Sequence, residues 1–204
     1  MNVILVIDTS HSVLQYVTPY LQTINTIIEI QKKINPENLL SVVTFSNRID
    51  YLCLNKPVKN ITSPISVQDL NIQGNTALYD SVVAILGNLH KFHDKTKMRT
   101  ETQVIILTDG LDTCSRFTQP KHLAFQIAKS QALGWKFTFL GTTEDSMNLG
   151  RILGCNVCVL YNTIESSFNR IGNVVEDLLQ ARIPSNVDVD LRDLTEAMSD
   201  MKLN

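Results

Sequence analysis

No stretch of this chain stays apolar for the roughly 18 residues that a membrane-crossing helix needs. A charge excess is missing too. Lys plus Arg is 18 against 20 for Asp plus Glu, a formal net charge of −2, whereas a dedicated nucleic-acid binder is strongly basic. No G-x-G-x-x-G string follows the first apolar run, no G-x-x-x-x-G-K-[ST] string occurs, and no G-x-S-x-G elbow surrounds a serine. Dinucleotide binding, a P-loop and a nucleophile elbow are therefore unsupported. The first apolar run, Val3–Ile7, ends at Asp8 and lacks both a basic flank and a small-residue cleavage site, so it does not read as a secretory signal. The expected setting is the cytoplasm or a virus particle. There the four cysteines, Cys53, Cys114, Cys155 and Cys158, are expected as free thiols and the Asn60-Ile61-Thr62 sequon as unused.

What remains is globular material. Hydrophobic residues make up 44% and charged residues 19% of 204 residues, enough for a sizeable core and too apolar for a disordered chain. Six runs read as strands: Val3–Ile7, Leu40–Phe45, Ile49–Leu54, Val104–Thr108, Phe137–Gly141 and Asn156–Tyr161. Several are apolar nearly end to end, as parallel strands covered on both faces are. The second and third are separated by too few residues for a crossover, so one strand runs antiparallel at an edge.

Helical patterns fill the gaps. Leu14, Val17, Leu21, Ile24 and Ile28 form one stripe, with Thr18-Pro19 as the expected start and Asn35-Pro36 as the stop. Leu78, Val82, Ile85, Leu86 and Leu89 form a second. Pro120 opens a third helix ending near Gly134, and Glu144–Leu153 and Ile164–Arg182 supply two more. The expectation is an α/β fold: a doubly wound, mostly parallel six-stranded sheet with helices on both faces, spanning residues 1–183. Ligands of such folds bind beyond the carboxyl ends of the strands, where the strand order reverses.

Residues 184–204 differ. Five acids (Asp188, Asp190, Asp193, Glu196, Asp200) against Arg192 and Lys202 give this tail a net charge of −3 and leave the body at +1. Leu191, Leu194, Met198 and Met201 recur at helical spacing, a pattern for a short amphipathic helix. It is a solvated tail, folds back on its own domain, or docks on a partner during assembly.

The chemistry-bearing residues sit at strand ends. Asp8, Ser10 and Ser12 follow the first strand, Thr76 precedes the second stripe in Gly74-Asn75-Thr76, and Asp109 ends the fourth strand in Thr108-Asp109-Gly110. All five offer oxygen. Hard oxygen donors with few carboxylates suit Mg²⁺. Two carboxylates balance its charge only formally and three neutral hydroxyls leave it electrophilic, so the site favours one more anionic oxygen from outside.

This pattern resembles the von Willebrand factor type A domain and its metal-ion-dependent adhesion site. That family carries Asp-x-Ser-x-Ser, then a Thr, then an Asp from another loop; Asp8, Ser10 and Ser12, then Thr76, then Asp109 match in order. The resemblance covers residues 1–183 and implies a non-catalytic protein-interaction module. Asp8, Ser10, Ser12, Thr76 and Asp109 would hold Mg²⁺ or Mn²⁺, and a partner's Glu or Asp would complete the sphere. The alternative is a structural or assembly subunit that uses the fold and the tail, with the metal dispensable.

Other signals read two ways. His11 stands where the family often has Gly; it either contacts the partner or is an ordinary loop residue. Asp112 is an outer acid of the site or a loop cap. Asp80, one turn after Thr76, either orients Thr76 or is a first-turn carboxylate favoured by the helix dipole. Cys155 and Cys158 read as core thiols. His90, Lys91, His93, Lys95, Lys97 and Arg99 read as a solvated helix end, and Trp135 and Phe137 as packing under the sheet. Haloacid-dehalogenase phosphotransferases also begin with a strand and an Asp, but they need a second Asp where this chain has Ser10.

Overall fold

The computed structural model describes residues 1–96 and 101–160, and the backbone of 187–190. Seven strands form one sheet: β1 (Asn2–Asp8), β2 (Leu39–Phe45), β3 (Ile49–Pro57), β4 (Thr102–Thr108), β5 (Lys136–Gly141), β6 (Val157–Leu160) and β7 (Val187–Asp190). The order is β3-β2-β1-β4-β5-β6-β7, parallel throughout except for the β2–β3 hairpin at one edge. All six strands read from the sequence are present. The seventh, β7, pairs with β6 and comes from the segment that charge alone marks as a tail.

Among the described residues five helices accompany the sheet: α1 (Val17–Ile34), α2 (Val67–Leu70), α3 (Leu78–Thr96), α4 (Pro120–Gln131) and α5 (Glu144–Ile152). Side chains alternate along β1, β4 and β6 and feed two cores. Val3, Leu5, Ile7, Ile105 and Leu107 face the layer that holds Tyr20, Ile24, Ile27 and Ile28 of α1. Ile4, Val6, Val104 and Ile106 face α3, α4 and α5. Each fully buried Val, Leu or Ile contributes about 1.5–3 kcal/mol relative to exposure.

The second stripe is buried as its spacing requires: Leu78, Val82, Ile85, Leu86 and Leu89 are all inside. The first differs at its start. The chain leaves the β1 loop as a 3₁₀ turn, His11–Tyr16, and runs directly into α1 at Val17, with no side-chain cap from Thr18. Pro19 falls in the first turn of α1, where its missing N–H costs nothing. Leu14 sits on the 3₁₀ turn and stays 47% exposed. The stop falls as expected: Asn35 is extended before Pro36 while its N–H closes the last turn onto the Gln31 carbonyl. The fifth helix expected over 164–182, the amphipathic tail stripe, Lys97 and Arg99 lie outside the described residues.

Successive strands step outward from β1 through β2 on one side and from β4 to β6 on the other. The reversal therefore lies between β1 and β4. Their carboxyl ends carry Asp8 and Asp109.

Candidate metal centre

Asp8 is fully buried at the end of β1. Its Oδ1 accepts the Ser10 backbone N–H at 2.8 Å, and its Oδ2 accepts the Thr108 hydroxyl at 2.7 Å across the β1–β4 boundary. Ser10 Oγ lies 3.0 Å from Ser12 Oγ, and Ser12 Oγ donates to Asp109 Oδ1 at 3.1 Å. Four of the five residues read from the sequence are thus joined through Asp8, Ser10, Ser12 and Asp109. The Thr142 hydroxyl fixes the Asp109 backbone by donating to its carbonyl at 3.0 Å.

Thr76 arrives by backbone bonding. Gln73 N–H donates to the Thr9 carbonyl at 2.9 Å, and His11 N–H donates to the Gly74 carbonyl at 2.9 Å. The 73–76 segment is thereby laid against the Asp8–Ser12 loop. Gly74 has φ +75, and a Cβ there would stand 2.6 Å from Asn47 Oδ1. Only glycine fits without displacement. Thr76 itself is clamped from the loop after β4: its carbonyl accepts the N–H groups of Thr113 and Cys114 at 2.8 and 3.1 Å, and its N–H donates to Thr113 Oγ1 at 3.0 Å. The Thr76 hydroxyl takes no part in the chain of bonds joining the other four.

The ambiguous acids resolve. Asp112 is a loop cap: it accepts the Tyr79 N–H of α3 at 3.3 Å and the Ser115 hydroxyl at 2.5 Å. Asp80 reaches outward from the first turn of α3. It accepts the backbone N–H groups of Arg116, Phe117 and Thr118 at 2.7, 3.2 and 2.7 Å. Partial desolvation opposes its ionisation, but these bonds prevail and hold its carboxyl below the usual value. His11 is exposed. Thr108 and Thr113 escaped the sequence reading. Their hydroxyls matter only through strand register and loop return, and neither has a sequence signature.

Electrostatically the site is unfinished. Burial pushes Asp8 up to about 6, against the pull of its Ser10 and Thr108 bonds, and nearby Asp109 adds repulsion. Burial also raises Asp109, with the Ser12 bond opposing. Neither acid forms an ion pair among the described residues. Two buried carboxylates beside clustered hydroxyls, with no cation of their own, fit a hard divalent ion. Asp8, Ser10, Ser12, Thr76 and Asp109 could hold it. Among the described residues no three His, Cys, Asp or Glu side chains gather as a metal cage, which suits a site where hydroxyls make up the donor count.

Comparison with solved structures agrees with this architecture. The structure of proximal thread matrix protein 1 from the mussel byssus, with a zinc-occupied MIDAS motif, superposes with a TM-score of 0.59 at 19% identity, covering 90% of this chain and 46% of that one. A von Willebrand factor type A protein from Catenulispora acidiphila gives 0.58 at 15% identity, covering 86% and 42%. The chain has the von Willebrand factor type A fold. An aerotolerance-related membrane protein from Bacteroides fragilis shares this type A architecture at a TM-score of 0.57 and 13% identity, covering 88% of this chain and 99% of that one. The chain thus spans less than half of the mussel and Catenulispora proteins and nearly all of the Bacteroides one. No family model matches the sequence, and no curated protein matches it. Among the described residues no helix is long and apolar enough to cross a membrane.

Proposed function

We propose that this type A domain is a non-catalytic interaction module that binds another protein through a divalent cation, Mg²⁺ or Mn²⁺, held by Asp8, Ser10, Ser12, Thr76 and Asp109. The observation that carries the reading is the pair of buried carboxylates at the β1–β4 switch, without a basic partner among the described residues and lined with hydroxyls. Their charge calls for a cation, and two acids leave that cation electrophilic toward a partner's Glu or Asp. The zinc-occupied motif in the mussel protein supports a metal at this position of the fold.

Ser10 Oγ bonds Ser12 Oγ, Ser12 Oγ bonds Asp109, and among the described residues no imidazole bonds either hydroxyl, which supports a binding role over a nucleophilic one. Four free thiols suit a reducing compartment, the cytoplasm or a virus particle. In an adhesion-type module, EDTA or Asp109→Ala abolishes partner capture. In a structural subunit working through the tail, capture survives both and is lost on deletion of 191–204, which leaves β7 in the sheet. Turnover of a generic phosphatase or esterase substrate would contradict both.

A further inference from the structure

The loop after β4 is tied down where a mobile surface loop would be cheaper. Asp80 binds three successive backbone N–H groups, those of Arg116, Phe117 and Thr118. The loop answers by capping the first turn of α3: Asp112 Oδ1 accepts the Tyr79 N–H at 3.3 Å and Ser115 Oγ accepts the Asp80 N–H at 3.0 Å. Reciprocal capping of this kind fixes both strands of the contact.

What the clasp presents is unusual for a solvated surface. Phe117 is 89% exposed, the most exposed large hydrophobic side chain among the described residues. Arg116 beside it is exposed, and no carboxylate among the described residues forms an ion pair with its guanidinium. Between this pair, the β2–β3 turn and α3 lies a cavity of about 670 Å³, lined by Ile49, Ala77, Ala84, Arg116 and Phe117 among others. It opens directly beside the metal site, since Asn75 and Ala77 on its wall flank Thr76. Leu14 and Leu111, two residues beyond Ser12 and Asp109, are also 47% and 45% exposed. An aromatic and an arginine at the edge of a concave surface are the residue types that dominate binding energy at interfaces. The clasp holds their backbone in place beforehand, which lowers the ordering cost of association.

We infer that this cavity is a second docking subsite for the protein bound at the metal, and that it selects an acidic segment carrying a large apolar side chain. The partner's first carboxylate meets the cation, its apolar side chain enters the cavity against Phe117 and Ile49, and a second carboxylate pairs with Arg116. The charge argument decides the class. Asp80 is anionic but its oxygens are taken up by backbone donors, and Arg48 is paired with Asp50. The Arg116 guanidinium has no ion-pair partner among the described residues, so the wall has a cation free to meet an acid beside the metal. The inference rests on the metal reading above.

The test uses the full chain loaded with Mg²⁺ and a phage library of random linear peptides, selected on the protein and eluted with EDTA. Enriched peptides are expected to pair a carboxylate with an aromatic or large aliphatic residue nearby. Phe117→Ser and Arg116→Glu, both at exposed positions, should each weaken these peptides about tenfold or more, leave Mg²⁺ affinity unchanged, and exceed any effect of Phe125→Ser on α4. Peptides that lack the apolar residue, peptides that bind both variants as well as wild type, or an absence of EDTA-eluted peptides from protein that demonstrably binds Mg²⁺ would each overturn the docking subsite alone. A wild type that binds no Mg²⁺ would overturn the metal reading and this inference together.

Discussion

The two ends of the sheet both bury polar groups, and they handle them in opposite ways. At the amino end, His90 stacks on Trp135 with ring centroids 4.4 Å apart, and His93 lies 5.0 Å from the same indole. His90 Nε2 bonds Ser130 Oγ at 2.8 Å, and the Asn2 amide lies 3.2 Å from His93 Nε2. Burial lowers both imidazoles, with Lys129 adding to His90, His90 adding to His93 and Asp94 opposing at each, so the rings stay neutral. At the carboxyl end, two buried acids have only hydroxyl and amide donors for company. The amino end buries neutral rings and amides, leaving only neutral groups such as Asn2 Oδ1 without a bond, and serves stability. The carboxyl end leaves charge uncompensated, which no stability argument favours and a ligand site requires.

That contrast can be broken or sharpened by substitution. The largest effect belongs to the closed end. Trp135→Ala removes a side chain that is only 6% exposed and should cost about 3–5 kcal/mol, read as a shift in the urea midpoint. The Mg²⁺ affinity of the folded fraction should not change; a parallel loss of affinity would mean that the two ends are one unit.

Next comes Asp8→Asn in metal-free protein. Asp8 stands at about 6 in the fold against an ordinary 3.8, so the folded state holds its proton more tightly than the unfolded state does. Stability of the metal-free wild type should therefore fall as pH rises from about 4 to about 6, a total of roughly 3 kcal/mol at 1.36 kcal/mol per unit. Asn escapes that loss, and the Thr108 hydroxyl can turn its proton to the Gly110 carbonyl, 3.1 Å away. The variant should be the more stable protein at neutral pH and lose all response to metal. Superimposable wild-type and variant curves between pH 4 and 7 would contradict it.

The smallest effect has the opposite sign. A histidine lowered by burial contributes stability that is present above its ordinary 6.5 and is lost as pH falls through the folded value. Trp135 is the sole tryptophan, so its fluorescence reports this end alone. Acidification below 6.5 should loosen it in the wild type and in Asp8→Asn, but not in a His90→Gln/His93→Gln double variant. Identical titrations of all three would place the acid sensitivity elsewhere.

The legibility of the molecule in its sequence follows the same division. Near-continuous apolar runs such as Val3–Ile7 and Val104–Thr108 can only be strands covered on both faces, so the parallel sheet, its antiparallel edge and its switch point were readable. Asp8, Ser10, Ser12, Thr76 and Asp109 stood out in the sequence as oxygen-bearing residues in the order of the type A motif, and the fold brings the loops that carry them together. Contacts that depend on register or loop return were not. Thr108 meets Asp8 only because β1 and β4 align Ile7 with Leu107. Asp80 is the first-turn carboxylate that one of its two readings expected, but its three backbone partners on the loop after β4 depend on loop return and were not legible. Strand β7 hid in Val187-Asp188-Val189-Asp190 because its acids outweighed its two-residue alternation. The start of α1 was misplaced because the pair Thr18-Pro19 imitates a cap, while a 3₁₀ turn had already set the helix in motion.

The most direct measurement is the melting temperature of wild type and Asp8→Ala in Mg²⁺, in Mn²⁺ and in EDTA. A cation that binds only the folded state adds RT ln(1 + [L]/Kd), about 2.7 kcal/mol at a hundredfold excess over Kd, or roughly 5–10 °C for a chain of this size. That rise is expected in the wild type and should vanish in Asp8→Ala. No rise at millimolar metal, or an equal rise in both proteins, would contradict a cation site at the β1–β4 switch.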